Sequence, residues 1–166
     1  WVYMRFKDET LERIFKSFKW TRNNTIKIFE DALKNNILDY KSTFQKKSRH
    51  TFQPPIFQFR CILTTTDKYY RDVIKHKNKN YGVLIRDSEI LLKDDIKAQN
   101  IKKYLEEQLL KLEEVLKKFR SADTEANIDS IITISNHEYL HQGQMIVAFR
   151  EAGVELPERF AKAWAL

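Results

Sequence analysis

Residues 94–120 read DDIKAQNIKKYLEEQLLKLEEVLKKFR, and this stretch decides the fold class. Apolar side chains fall at Ile101, Leu105, Leu109, Leu112, Leu116 and Phe119, in steps of four and three. Such steps hold side chains on one face of an α-helix and form the seam between helices packed at a shallow angle. Asp94 and Asp95 stand at the start and Lys117, Lys118 and Arg120 at the end, as the helix dipole favours. A helix over 95–120 is predicted.

The same periodicity recurs on either side. Leu11, Ile14, Phe15, Phe18, Ile26, Phe29 and Leu33 make one face of a helix over 10–34. Asp8 precedes it, Thr10 can accept from its first N–H groups, and Asn23-Asn24 marks a place where it could bend. Pro54-Pro55 closes a polar stretch and opens a second helix over 56–75, with Ile56, Phe59, Ile62, Leu63, Thr66, Tyr70 and Val73 inward. The run Thr64-Thr65-Thr66 is a poor local helix former, so this helix depends on packing. Residues 81–92 fit either short extended pieces or an irregular loop. A fourth helix over 127–152 ends at Gly153, a left-handed cap, and Pro157 begins a last short segment in which Phe160 and Trp164 share a face. Four long helices on one chain predict an all-α, four-helix bundle in a single domain over 1–166.

Composition agrees. The chain has 3 Gly and 3 Pro, too few for the tight turns of a sandwich or barrel. Its one cysteine, Cys61, cannot form an internal disulfide, which suits a reducing compartment. No apolar run approaches the roughly 20 residues that span a bilayer, and Trp1–Phe6 is too short for a signal peptide. A cytoplasmic protein without a membrane span is expected. The net charge of +7 is uneven: residues 1–80 carry a balance of +10 and residues 81–166 one of −3. The excess sits at Lys46-Lys47-Ser48-Arg49 and Lys75-His76-Lys77-Asn78-Lys79, which read as solubilising loops. Nucleic-acid binding through the basic first half is a minor alternative, because no nucleic-acid-binding motif accompanies the charge.

The residues that carry chemistry lie in Asn136-His137-Glu138-Tyr139-Leu140-His141-Gln142-Gly143-Gln144. Histidines four apart on a helix project from one face and can hold one metal ion from one side. Two ligands bind weakly, so a third is needed from another helix. His137, Glu138 and His141 also match the H-E-x-x-H pattern of zinc proteases, in which the glutamate is the general base. Gly143 suggests close approach of a neighbouring segment, and Gln144 a hydrogen bond at the site or across helices.

The wider context points away from proteases. His137-Glu138, His141-Gln142-Gly143-Gln144, then Gly153-Val154, Leu156-Pro157 and Trp164 resemble the DinB/YfiT-like superfamily, as more faintly do Asp67 and Tyr70-Arg71-Asp72. The resemblance implies a four-helix bundle, often dimeric. It further implies a divalent metal, zinc or nickel, held by a histidine of the second helix and the H-x-x-x-H pair of the fourth. Some such proteins are thiol-dependent transferases that use low-molecular-weight thiols; hydrolase chemistry is the other expectation. In this chain the family's second-helix histidine falls at Ile62, which cannot ligate. Gln58 and Cys61 are the possible substitutes within a turn, although Cys61 is rotated about 100° from position 62, and His50 could reach in only from a loop. An incomplete site on His137 and His141, empty or weakly occupied, is therefore expected. The alternative is a non-catalytic stress-response or ligand-binding bundle that has lost its metal. A homodimer is the expected assembly, from the resemblance and from the 21 aromatic residues.

Overall fold

The computed structural model describes residues 5–44, 52–77, 96–119 and 124–163, and these are all-α. Four long helices, α1 (Glu9–Lys34), α2 (Pro55–Lys77), α3 (Ile101–Leu116) and α4 (Thr124–Glu151), precede a short α5 (Glu158–Ala163). Residues 81–92, His50, the stretch 46–49 and Trp164 lie outside the described residues. Lys75, His76 and Lys77 belong to the last turn of α2 and not to a loop. No described helix is long and apolar enough to cross a membrane.

The helix ends follow local chemistry. Asp8, rather than Thr10, caps α1: its side chain accepts from the Leu11 N–H at 2.8 Å while Thr10 lies inside the helix. α1 continues through Asn23-Asn24 as one element. It ends where Asn36 takes φ +57°, with Asn36 N–H bonded to Leu33 O and Ile37 N–H to Ala32 O. α4 ends in the same paired pattern: Gly153 at φ +69° donates to Arg150 O, and Val154 N–H donates to Phe149 O at 2.9 Å.

α3 is shorter than the predicted 95–120. Ile96 is fully buried and its carbonyl accepts from Arg60 Nε at 2.9 Å, a tertiary bond that takes it out of the helical ladder. A 3₁₀ turn over Ala98–Asn100 then leads into α3. Beyond Leu116 the chain tightens into three-residue steps, Lys118 N–H to Val115 O and Phe119 N–H to Leu116 O, which bury Phe119. In α2 the β-branched run stays helical with Thr66 buried and held by the Arg22 guanidinium, while Thr64 Oγ1 bonds back to Arg60 O at 3.0 Å.

Around the core, α1 packs on α4, α4 on α2, α2 on α3 and α3 on α1. The interior has three layers. One apolar cluster joins Phe29, Phe59, Ile62, Leu63, Leu105, Met145, Phe149 and Phe160. A second joins Phe15, Phe18, Leu109, Leu112, Leu116, Phe119, Ile131 and Ile134. Each fully buried large apolar side chain contributes roughly 1.5–3 kcal/mol. Between the clusters lies a polar layer of Arg22, Thr25, Thr66, Gln108, Glu138 and Gln142. α1 and α4 pass from the second cluster through this layer to the first, whereas α2 and α3 pass the other way. Hence α1 and α4 run in one sense and α2 and α3 in the opposite sense. Helices that run alike need a long connection, and residues 78–100 supply it between α2 and α3. Leu33, predicted inward, is 48% exposed, because the buried seam continues from Phe29 by a step of three to Ala32 and leaves Leu33 at its flank.

Candidate metal centre

α4 places His137 and His141 one turn apart, with ring centroids 4.4 Å apart and planes at 77°. Their Nε2 atoms are 3.0 Å from each other. Across from them α2 presents Gln58 and Cys61, three residues apart and so on one face. Cys61 Sγ lies 3.7 Å from His137 Nε2. Donor atoms of Cys61, His137 and His141 all fall within 4.8 Å of one another. Ile62 is turned into the apolar cluster beside Phe59 and Leu63 and is fully buried. The rotation of about 100° between neighbouring residues is what carries Cys61 toward the histidines and Ile62 away from solvent.

Gln58 organises the pair without standing in for a ligand. Its Oε1 meets His141 Nδ1, and its Nε2 donates to Gln53 O at 2.9 Å. With that amide nitrogen committed as donor, Oε1 must accept, so Nδ1 of His141 carries the proton and Nε2 presents a lone pair. His137 Nε2 then donates to His141 Nε2, and a metal ion binding there would take the place of that proton. His141 is 6% exposed, whereas His137 and Cys61 are half-buried, so the cluster is closed on the core side and reachable from outside.

Glu138 has a different place. It is fully buried; its two oxygens accept from Arg22 Nε, both at 3.0 Å, Oε1 also accepts from Thr25 Oγ1 at 2.5 Å, and Arg22 Nη2 stands 2.9 Å from Oε2 as the second contact of the ion pair. Arg22 spends its remaining donors on Thr66 Oγ1, Gln108 Oε1 and Leu105 O, and its guanidinium lies 5.2 Å over the Phe18 ring. Gln142, next to His141, bonds to Thr21 O and Thr25 Oγ1. A general base must face the reacting atoms, and a carboxylate already tied to a guanidinium and a hydroxyl in the core does not. The H-E-x-x-H match is one of spacing alone.

Gln144 and Glu151, seven and fourteen residues beyond His137, continue its face of α4. Gln144 Oε1 accepts from Phe52 N–H at 3.1 Å, and Glu151 accepts from the backbone and hydroxyl of Thr43. Hydrogen bonds from Ser42 and then Thr43 hold the Glu151 carboxyl below its ordinary value. The connection between α1 and α2 is thus tied to α4 on the face that bears the histidines. Gly143 does not serve a close approach: a Cβ added there would meet nothing within 4 Å.

Of the polar layer only Thr66 belongs to the predicted core; Arg22 and Thr25 are absent from it, yet the seam of α1 contains their signal. Steps of four and three from Phe18 reach residues 22, 25 and 29, so Arg22 and Thr25 occupy inward positions. An arginine in an apolar seam calls for a buried anion, and Glu138 is that anion. Set against family models, curated proteins and solved structures, the chain has no match in any of the three.

Proposed function

We propose that this chain is a DinB-like four-helix bundle that holds one divalent transition-metal ion, zinc above all, on Cys61 Sγ, His137 Nε2 and His141 Nε2. The observation that carries the reading is the spacing of the donors. Tetrahedral zinc with Zn–N of about 2.05 Å and Zn–S of about 2.3 Å sets its N···N pairs about 3.3 Å apart and its S···N pairs about 3.6 Å apart. The chain has 3.0 Å between the two imidazole nitrogens and 3.7 Å between the sulfur and His137. Shifts of a few tenths of an ångström there, with Cys61 and His141 drawn together from within 4.8 Å, complete three corners of a tetrahedron. One sulfur and two imidazoles favour zinc or nickel over magnesium or calcium, which prefer oxygen donors.

Three protein ligands leave one position open, the mark of a reactive site as opposed to a closed structural one. A metal ion there would supply Lewis-acid chemistry, as a hydrolase or thiol transferase requires. The chain's own contribution is to fix the His141 tautomer through Gln58, to set the sulfur opposite through α2, and to close the core side with Ile62. All three donors come from one chain, so the centre needs no second copy even if the bundle forms a homodimer.

Zinc titration by calorimetry on tag-free protein tests this. About one zinc per chain is expected, with affinity reduced about 10–100-fold in Gln58→Ala and reduced further in Cys61→Ala and His137→Ala. Wild-type protein that takes up no zinc, or binds it equally well as Cys61→Ala, would refute the assignment.

A further inference from the structure

We propose that Cys61 is also a modification site: oxidation of its sulfur by a peroxide expels the metal, so the centre is loaded only while this thiol is reduced. The inference rests on the metal reading above and adds a control to it.

Four observations lead there. The two histidines stand on one helix, and Cys61 is the donor from α2. A pair of neutral imidazoles is too little to retain a divalent ion once the anionic sulfur is lost. Gln58 cannot take over, because both ends of its amide are engaged, with His141 and with Gln53 O. Cys61 is half-buried, so a molecule as small as a peroxide can approach it, whereas His141 and Ile62 are sealed on the inner side. Finally, Cys61 is the single thiol of the chain, so no internal disulfide can form and the oxidised state must be resolved from outside.

The chemistry balances with two co-reactants. The Cys61 thiolate attacks one oxygen of hydrogen peroxide; an S–O bond forms, the O–O bond breaks, and hydroxide leaves. Sulfur loses two electrons to the peroxide and becomes a sulfenic acid, a poor metal ligand. A low-molecular-weight thiol then condenses with the sulfenic acid, releasing water and forming a mixed disulfide. A second such thiol attacks that disulfide, leaves as the small-molecule disulfide and returns Cys61 to the thiol.

The test uses the full chain loaded with zinc, exposed to hydrogen peroxide and then to excess glutathione. Free zinc is read with a chromogenic chelator, and the sulfenic acid by the mass of its dimedone adduct. Zinc release in step with Cys61 oxidation is expected, at about one zinc per oxidised chain, with recapture after glutathione. Cys61→His should bind zinc and keep it through the same treatment, with Cys61→Asp as a second oxidation-resistant ligand should the histidine variant fail to fold. Retention of zinc by wild-type protein under peroxide, or equal release from a resistant variant, overturns the proposal. Wild-type protein that takes up no zinc before peroxide is added overturns the metal reading itself, and the two failures are told apart at that step.

Discussion

Glu138→Gln separates a catalytic from a structural role for the glutamate of the H-E-x-x-H match. The substitution preserves size and removes one negative charge. It leaves the Arg22 guanidinium, fully buried, without its anion, and it weakens two N–H···O bonds of 3.0 Å and an ion-pair contact of 2.9 Å. Thr25 Oγ1 also loses a charged acceptor at 2.5 Å. Breaking a buried pair by neutralising one partner costs about 3–5 kcal/mol, because the remaining charge has no water to turn to. Domains of this size unfold with about 5–15 kcal/mol, so about a fifth or more of the stability is at stake. For a chain of this length, each kcal/mol moves Tm by about 2–4 °C, hence a drop of roughly 6–20 °C. Urea unfolding followed by circular dichroism measures it, with the double variant Arg22→Met/Glu138→Leu as control. Removing both charges together should restore most of the loss, since well-packed apolar replacements of buried pairs are often neutral. A loss below about 1 kcal/mol in Glu138→Gln would mean that the carboxylate is solvated and that Arg22 does not depend on it.

The two described glycines of the α4 region are expected to respond in opposite directions to alanine. Gly143→Ala should stabilise the chain by about 0.5–1 kcal/mol, since the added methyl meets nothing and glycine costs a helix interior about that much. Gly153→Ala should destabilise by about 1 kcal/mol, because φ +69° is strained for any residue with a Cβ; thermal melts of the pair decide both signs. The tie between residues 42–43 and α4 should loosen in acid. Glu151 is held below the ordinary value of 4.5, so its contribution is complete above that value and fades as pH falls through the lower, folded value. Protection of the Thr43 amide, whose N–H donates to Glu151, measured as its exchange rate relative to the intrinsic rate at the same pH, should therefore fall below pH ~4.5 and should not do so in Glu151→Gln.

Much of this architecture could be read from spacing, because long helices repeat their signal over many turns. The seams of α1 and α3 are each a run of apolar residues at steps of four and three, and their buried members, Phe15, Phe18, Leu105, Leu109 and Leu112, follow that pattern. What spacing does not contain is the tertiary competition at helix ends. Ile96 leaves the predicted α3 because its carbonyl is claimed by Arg60 from α2, a residue 36 positions away. The candidate site shows the same limit from another side. Helical periodicity places His137 and His141 together but cannot say whether Cys61 or Ile62 faces them, since that depends on how α2 is rotated about its own axis. That rotation is set by packing, with Phe59, Ile62 and Leu63 inward and Thr66 on Arg22. Once those are fixed, Cys61 is left at the flank, which is where α4 carries its histidines.

The polar layer explains how one short stretch of α4 serves two ends. Residues 137 and 138 differ by about 100° around the helix. His137 and His141 accordingly look toward α2 and the outside, while Glu138 and Gln142 look into the core toward α1. Arg22, rooted on α1, reaches Thr66 of α2, Gln108 of α3 and Glu138 of α4, so a single side chain touches all three other long helices. An apolar seam alone tolerates small rotations and sliding of one helix on another, since leucine and phenylalanine contacts have little directionality. A guanidinium with charged and neutral acceptors at about 3 Å does not, because its donors have a fixed planar geometry. The pair therefore fixes the rotation of α4 at the very turn that carries the histidines, and Thr66, five residues from Cys61, ties α2 to the same point. In this chain the Arg22 network, together with the inward packing of Phe59, Ile62 and Leu63, sets the sulfur of one helix beside two imidazoles of another.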